Sequence, residues 1–193
     1  MKIMELIGYH KHPAYRAAVN AFTYNTTDPT SGKLMDFKKR LEELGYDIEF
    51  MGRGGRGAVY KRPSDPYVIK IFHEDVDYLR YLKYVVAHQD NPHVPQLRGK
   101  LMKIDSDTYV IRMEELEPID PRDAVQKNIL DGLLRMSTWK RARQNTYIKN
   151  NAPKLYKLLI DLANMFGDES GTDLIDENIM QRKDGTIVLT DPV

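Results

Sequence analysis

Three polar residues near the end of this 193-residue chain have types and spacing that suit chemistry: Asp173, Asn178 and Asp191. Asn178 follows Asp173 by five positions, and Asp191 follows Asn178 by thirteen. Moving a phosphoryl group asks for little covalent help from a protein. It asks for a carboxylate near the acceptor hydroxyl, and for oxygen donors that hold Mg²⁺ on the phosphates. Asp173 has the chemistry of the first, and Asn178 and Asp191 that of the second. Between them lie two apolar stretches, Ile179-Met180 and Ile187-Val188-Leu189, broken at Asp184-Gly185. That pattern predicts a hairpin that returns Asn178 and Asp191 to one edge. Taken alone, the segment reads equally well as an acidic loop and a hairpin.

A second set lies upstream. Gly52-Arg53-Gly54-Gly55-Arg56-Gly57-Ala58-Val59 fits G-x-G-x-x-G-x-V. Glycines let a backbone approach phosphate oxygens without a side-chain clash, and their N–H groups can face the charge. The loop follows a strand-like run, Tyr46 to Met51, and Val59-Tyr60-Lys61 continues as strand. After a turn at Arg62-Pro-Ser-Asp-Pro66 comes another run, Tyr67-Val-Ile-Lys70-Ile-Phe72. A dinucleotide-binding loop would lead into a helix, whereas this one leads into a strand. A lone glycine loop is a weak signal, and a lone strand lysine is usually solvated.

The elements that must position these residues can be outlined. Residues 1 to 45 read as helical around a Thr-, Asp-, Pro- and Gly-rich loop, with Gly45 as a stop. Strands follow through Phe72. Asp75 to His88 reads as a helix with Val76, Leu79, Leu82, Val85 and Val86 on its apolar side. Two strands follow, Leu97 to Ile104 and Tyr109 to Met113, then a crossover at Glu114 to Pro118. Helices are expected over Ala124 to Leu134 and Pro153 to Phe166, the latter ending at Gly167.

Composition agrees with a globular chain: 41% hydrophobic, 30% charged, net charge +1. Such a balance gives no global field for nucleic acid or an anionic membrane. The chain has no cysteine, which excludes disulfides and thiolate metal sites. The five histidines lack metal-ligand spacing. The N-terminal apolar run is too short for a signal peptide, and no stretch approaches the roughly 20 apolar residues of a membrane span. A cytoplasmic location suits this. The basic stretch Trp139-Lys-Arg-Ala-Arg143 reads as a solvated helix face rather than a nucleic-acid site.

Glycine loop, Lys70, Asp173-x4-Asn178 and Asp191 stand in the order and near the spacing of the protein kinases, and residues 46 to 193 resemble that superfamily. Within it, F-M-G-x-G, V-I-K, N-I-M and T-D-P-V are similar to the early serine/threonine protein kinases of short-tailed lytic coliphages. The resemblance implies an α+β, two-lobe kinase-like fold. Residues 1–45 would form a helical extension, 46–116 a small lobe of five antiparallel strands and one helix, and 117–193 a reduced helical lobe without an activation segment. It implies ATP and Mg²⁺ as cofactors and phosphorylation of host proteins. Gly52, Gly54 and Gly57 would cover the phosphates, and Lys70 would reach them. Asp173 would act as base or orienting group, with Asn178 and Asp191 as metal ligands. Val59, Ile69 and Met180 would enclose adenine, and Met113 with Glu114 to Leu116 would form the gatekeeper and hinge. Asp77 is the candidate helix acid for Lys70.

The departures matter. The usual H-R-D is Gly171-Thr172-Asp173, with no arginine to receive an activation-loop phosphate, and Pro192 and Val193 replace the Phe and Gly of DFG. These favour one alternative, a pseudokinase or inhibitory binding module; AMP transfer or small-molecule phosphorylation on the same fold is a second alternative.

Overall fold

In a computed structural model, the structure describes residues 47–53, 56–63, 65–73, 75–103 and 107–193, together with Lys39 and Glu43. Lys39 and Glu43 are helical and exposed; the rest of the expected helical extension over 1–45 lies outside the described residues. The described residues divide into two compact units. One runs to Asp75 and takes in Leu97–Glu115; the other holds Val76–Gln96 and Leu116–Val193. The expected boundaries grouped 46–116 together. The divergence lies in the helix after Asp75, which clusters with the second unit.

The first unit is a five-stranded antiparallel sheet. Its strands are β1 (Glu49–Arg53), β2 (Gly57–Lys61), β3 (Tyr67–His73), β4 (Met102–Lys103) and β5 (Thr108–Glu114), in the order β1-β2-β3-β5-β4. Val, Ile, Tyr and Phe dominate β3 and β5, the types that suit a pleated surface. Ile71 and Phe72 are both buried, as are Val110 and Ile111. Neighbouring strand residues point to opposite faces, so both faces of these central strands are covered. The strand expected over 97 to 104 is shorter. Gly99, at φ +80°, turns the chain out of it, leaving β4 and an isolated bridge from Leu97 to Met113.

The second unit begins with α1 (Val76–Ala87). Its buried face keeps only part of the expected aliphatic set, Leu82 and Val85, and adds tyrosines. Val76 and Val86 are 68% and 56% exposed, while Tyr78, Tyr81, Leu82, Tyr84 and Val85 are buried. A tyrosine buries more apolar area than a valine, provided its hydroxyl finds a partner. Tyr81 Oη donates to the Leu189 carbonyl at 2.5 Å, and Tyr84 Oη to Asp161 at 2.8 Å. These bonds draw the helix into the second unit.

Four further helices follow: α2 (Ala124–Leu134), α3 (Lys140–Gln144), α4 (Thr146–Asn151) and α5 (Pro153–Phe166). Asp123 caps α2 by accepting from Gln126 N–H, and Asn145 caps α4 through Ile148 N–H. Pro153 opens α5 and Gly167 closes it. Leu155, Leu158, Leu159 and Leu162 of α5 are fully buried with Leu133, Trp139 and Ile148. A three-stranded sheet completes the unit: β6 (Glu117–Pro118), β7 (Ile179–Gln181) and β8 (Ile187–Leu189), in that order. The expected crossover thus supplies an edge strand, where Pro118 is tolerated. Among the described residues no helix is long and apolar enough to cross a membrane.

Replacing Tyr81 by Phe should remove the buried bond to Leu189 and leave that carbonyl unsatisfied, a loss of about 1–3 kcal/mol. A lowered urea midpoint with an unchanged slope is the expected result; an unchanged midpoint would show that the bond adds nothing.

Candidate active site

The catalytic-type residues of the second unit are placed by backbone hydrogen bonds. Asp173 N–H donates to the Pro192 carbonyl at 2.9 Å, which ties the two ends of the segment together. Leu174 is buried, whereas Asp173 and Ile175 are exposed. A short 3₁₀ turn, Asp176–Asn178, follows. Asn178 and Ile179 N–H both donate to the Ile175 carbonyl at 3.0 Å. The turn directs the Asn178 side chain back: its Nδ2 donates to the Asp173 carbonyl at 2.9 Å and to Asp173 Oδ2 at 2.8 Å.

The hairpin expected from the apolar pattern is present. β7 and β8 pair Ile179 with Leu189, Met180 with Val188 and Gln181 with Ile187. Gly185 takes φ +88° at the turn, and Asp184 Oδ1 accepts from Thr186 N–H at 2.8 Å. Beyond the last pair, the Asn178 carbonyl accepts from Thr190 N–H at 2.9 Å and from Thr190 Oγ1 at 3.2 Å. Asp191 is the next residue, so Asp173, Asn178 and Asp191 are held by one set of bonds.

The Asn178 amide nitrogen is committed to Asp173, so its amide oxygen is the atom suited to a cation. Among the described residues no group of three or more His, Cys, Asp or Glu could hold a metal. Asn178 and Asp191 offer two oxygen donors, a set that fits Mg²⁺, which keeps several waters and leans on phosphates. Tyr81 stands close by: burial, and then the charge of Asp191, hold its hydroxyl well above the usual phenol range.

Residues after α1 clamp the hairpin. Leu189 N–H donates to the His93 carbonyl at 3.0 Å, and His93 Nδ1 bonds the Ile187 carbonyl at 2.7 Å. A carbonyl only accepts, so Nδ1 carries the proton. Arg182 donates to the carbonyls of Pro92 and Val94, the latter at 3.0 Å. Burial lowers the His93 pKa below its usual value, against the Ile187 bond and with help from Arg182 and Lys154.

In the first unit, strand register decides which candidates share a surface. Val59 lies opposite Lys70, and Lys70 opposite Ile111; Val68 lies opposite Met113. Val59, Val68, Lys70 and Met113 therefore face one way. Ile69 faces the other, between Tyr60 and Arg112. The expectation that Ile69 joins Val59 around adenine is corrected: with a two-residue period, the residue two before Lys70 shares its face, and that is Val68. Glu114 ends β5 opposite Tyr67, and Leu116 and Met180 belong to the second unit.

The glycines differ in role. Gly54 lies outside the described residues. A Cβ built on Gly52 meets nothing within 4 Å, whereas one on Gly57 would stand 2.6 Å from the Ile71 carbonyl oxygen and 3.1 Å from Phe72 Cβ. Gly57 is thus required by the neighbouring strand. Asp77 lies in the first turn of α1, with Oδ1 3.4 Å from Arg80 Nη1. Trp139 is fully buried, and Lys140 and Arg143 pair with Glu169 and Asp168. Tyr81 and His93 escaped the sequence reading; the only signal for Tyr81 was the three-residue spacing of tyrosines 78, 81 and 84.

No family model matches the sequence, and no curated protein matches it. Solved structures do. One is Rad53 1–466 in complex with AMP-PNP, at 19% identity and TM-score 0.40, covering 82% of this chain and 43% of that one. Another is the Cydia pomonella granulovirus kinase PK-1, at 17% identity and TM-score 0.45, covering 82% and 57%. The chain spans about half the length of these two structures. At that distance the likeness carries no weight for function, which stands on the residues themselves.

Gly57→Ala should lower stability by about 1–3 kcal/mol through overpacking, while Gly52→Ala should stay within about 0.5 kcal/mol. Equal melting temperatures for the two variants would contradict the register of β2 and β3. His93 gives a pH dependence. Its folded pKa is depressed, so the unfolded chain takes up the proton first as pH falls below about 6.5. Stability contributed by neutral His93 is therefore present above that pH and lost below it. Denaturant midpoints should fall from pH 7 to pH 5, and His93→Gln should flatten that slope.

Proposed function

We propose that the chain is a phosphotransferase that uses Mg²⁺–ATP to phosphorylate serine or threonine side chains of proteins. The observation that carries this reading is the Asp173–Asn178 pair, bonded directly at 2.8 Å and tied through Thr190 and Pro192 to the strand that leads to Asp191. Asp173 is exposed, as an acceptor-facing carboxylate must be. It takes the acceptor hydroxyl proton or orients that hydroxyl. Asn178 and Asp191 hold Mg²⁺, which neutralises charge on the phosphates. Lys70, with Val59, Val68 and Met113 on the same face of its sheet, provides the phosphate cation and an apolar surface for the base. The resemblance to early coliphage kinases adds a setting, the host bacterial cytoplasm with host proteins as substrates.

Incubation of the protein and candidate acceptors with γ- and α-labelled ATP tests the reading. Label on protein from the γ position alone is expected. Label from the α position would mean AMP transfer, and no label on protein would leave a binding module or a small-molecule acceptor. Asp173→Asn keeps a side-chain oxygen for Asn178 and should cut transfer by roughly 10²–10⁴ with nucleotide binding nearly intact. Asp191→Ala should lose the Mg²⁺-dependent part of nucleotide affinity as well. Transfer at the parent rate in Asp173→Asn would remove Asp173 from the reaction.

A further inference from the structure

Residues 168 to 172 run antiparallel to residues 136 to 140, the segment that follows α2. Lys140 N–H donates to the Asp168 carbonyl at 2.7 Å, Trp139 N–H donates to the Ser170 carbonyl at 3.2 Å, and Thr138 bridges Gly171. The last rung is a side chain: Thr172 Oγ1 donates to the Met136 carbonyl. The segment that receives it is a firm anchor, because Met136 and Trp139 are buried in the close-packed interior.

Thr172 immediately precedes the candidate catalytic carboxylate, and its neighbours offer little other side-chain anchorage. Gly171 has no side chain, and Ser170 Oγ is committed to the Phe166 carbonyl at 2.7 Å. Asp173 is exposed, and the next buried residue is Leu174. Asp173 therefore sits between two tethers, the Thr172 hydroxyl before it and the Leu174 side chain after it. Its own bonds to Pro192 and Asn178 tie it to the hairpin. The Thr172 bond ties it to the helical part of the same unit.

We propose that Thr172 is a positioning residue: its hydroxyl, held by the Met136 carbonyl, sets the place of the Asp173 carboxylate for phosphoryl transfer. The inference rests on the phosphotransfer reading of Asp173. The metal donors are placed by other bonds, Asn178 through Ile175 and Thr190, and Asp191 through β8. Losing the tether thus displaces the acceptor side of the site and leaves the nucleotide side in place. A misplacement of about 1 Å in a reacting group can cost about 10²-fold in rate.

Transfer from γ-labelled ATP to casein is compared in the full-length parent, Thr172→Val, Thr172→Ala and Thr172→Ser. Valine sets a methyl against the Met136 carbonyl, and alanine leaves that place empty. Both should lower kcat by roughly 10- to 100-fold, with KM for Mg²⁺–ATP within about twofold of the parent. Serine restores the donor and should return kcat to within about threefold, the remainder reflecting its freer χ1. Amide exchange reads the tether without turnover. In Thr172→Val the Asp173 amide should exchange about tenfold faster, while the Leu189 amide stays unchanged. If the parent transfers no γ-phosphate, the phosphotransfer reading fails, and the exchange pattern still supports or overturns the tether. Parent kcat in Thr172→Val would overturn the proposal, as would a Thr172→Ser variant as slow as Thr172→Val. Equal acceleration of exchange at Asp173 and Leu189 would make Thr172 a general stabiliser and overturn it too.

Discussion

The register of one short hairpin decides where the polar residues of the second unit stand. Ile179 lies opposite Leu189, and one step further the Asn178 carbonyl takes both the N–H and the hydroxyl of Thr190. Because side chains alternate with a period of two, a slip of one residue would turn β8 over. It would carry Asp191 to the other face and exchange the buried side chains of β8 between its two covered faces. Ile187, Val188 and Leu189 are all buried, so a slip in either direction breaks packing on both sides. Gly185 at positive φ and the Asp184 side chain fix the turn from its other end. The hairpin is short, and it gains its definition from what grips it: Tyr81 and the His93 carbonyl on Leu189, His93 Nδ1 on Ile187, Arg182 on the 92–94 backbone.

That grip explains why α1 belongs with the hairpin rather than with the strands that precede it. An amphipathic helix lined with aliphatic residues would satisfy any apolar surface. A helix lined with tyrosines needs acceptors at fixed places, and Leu189 and Asp161 supply them. Specific polar partners thus do what a valine stripe would not: they choose one docking geometry.

Much of this was legible in the chain. Pro153 and Gly167 mark the ends of α5 by their chemistry, and α2 and α5 begin and end at the expected residues. Asp184-Gly185 between apolar runs announced the hairpin. What was not legible has physical causes. Ranking residues by hydropathy favours Val76 and Val86 over Tyr78 and Tyr81, although a buried phenol with a partner contributes more contact area. Ile69 was chosen for being apolar beside Lys70, where the strand period selects Val68. The helices α3 and α4 are too short to show a period, and each relies on tertiary packing through one buried residue, Ala142 and Ile148. A two-residue strand at Glu117–Pro118 carries no sequence signal of its own.

The electrostatics of the loop supply a last step. Asp173, Asp176 and Glu177 are exposed, where like charges at about 4 Å repel by only about 1 kcal/mol in water. Asp191 is half-buried, where the effective dielectric is lower than at the surface. Its buried neighbour Tyr81 stays neutral, because burial and the Asp191 charge both hold the phenol proton on, and so Tyr81 adds no second negative charge. In the proposed reading Asp191 and the Asn178 amide oxygen would hold a divalent cation, which would supply positive charge beside these carboxylates.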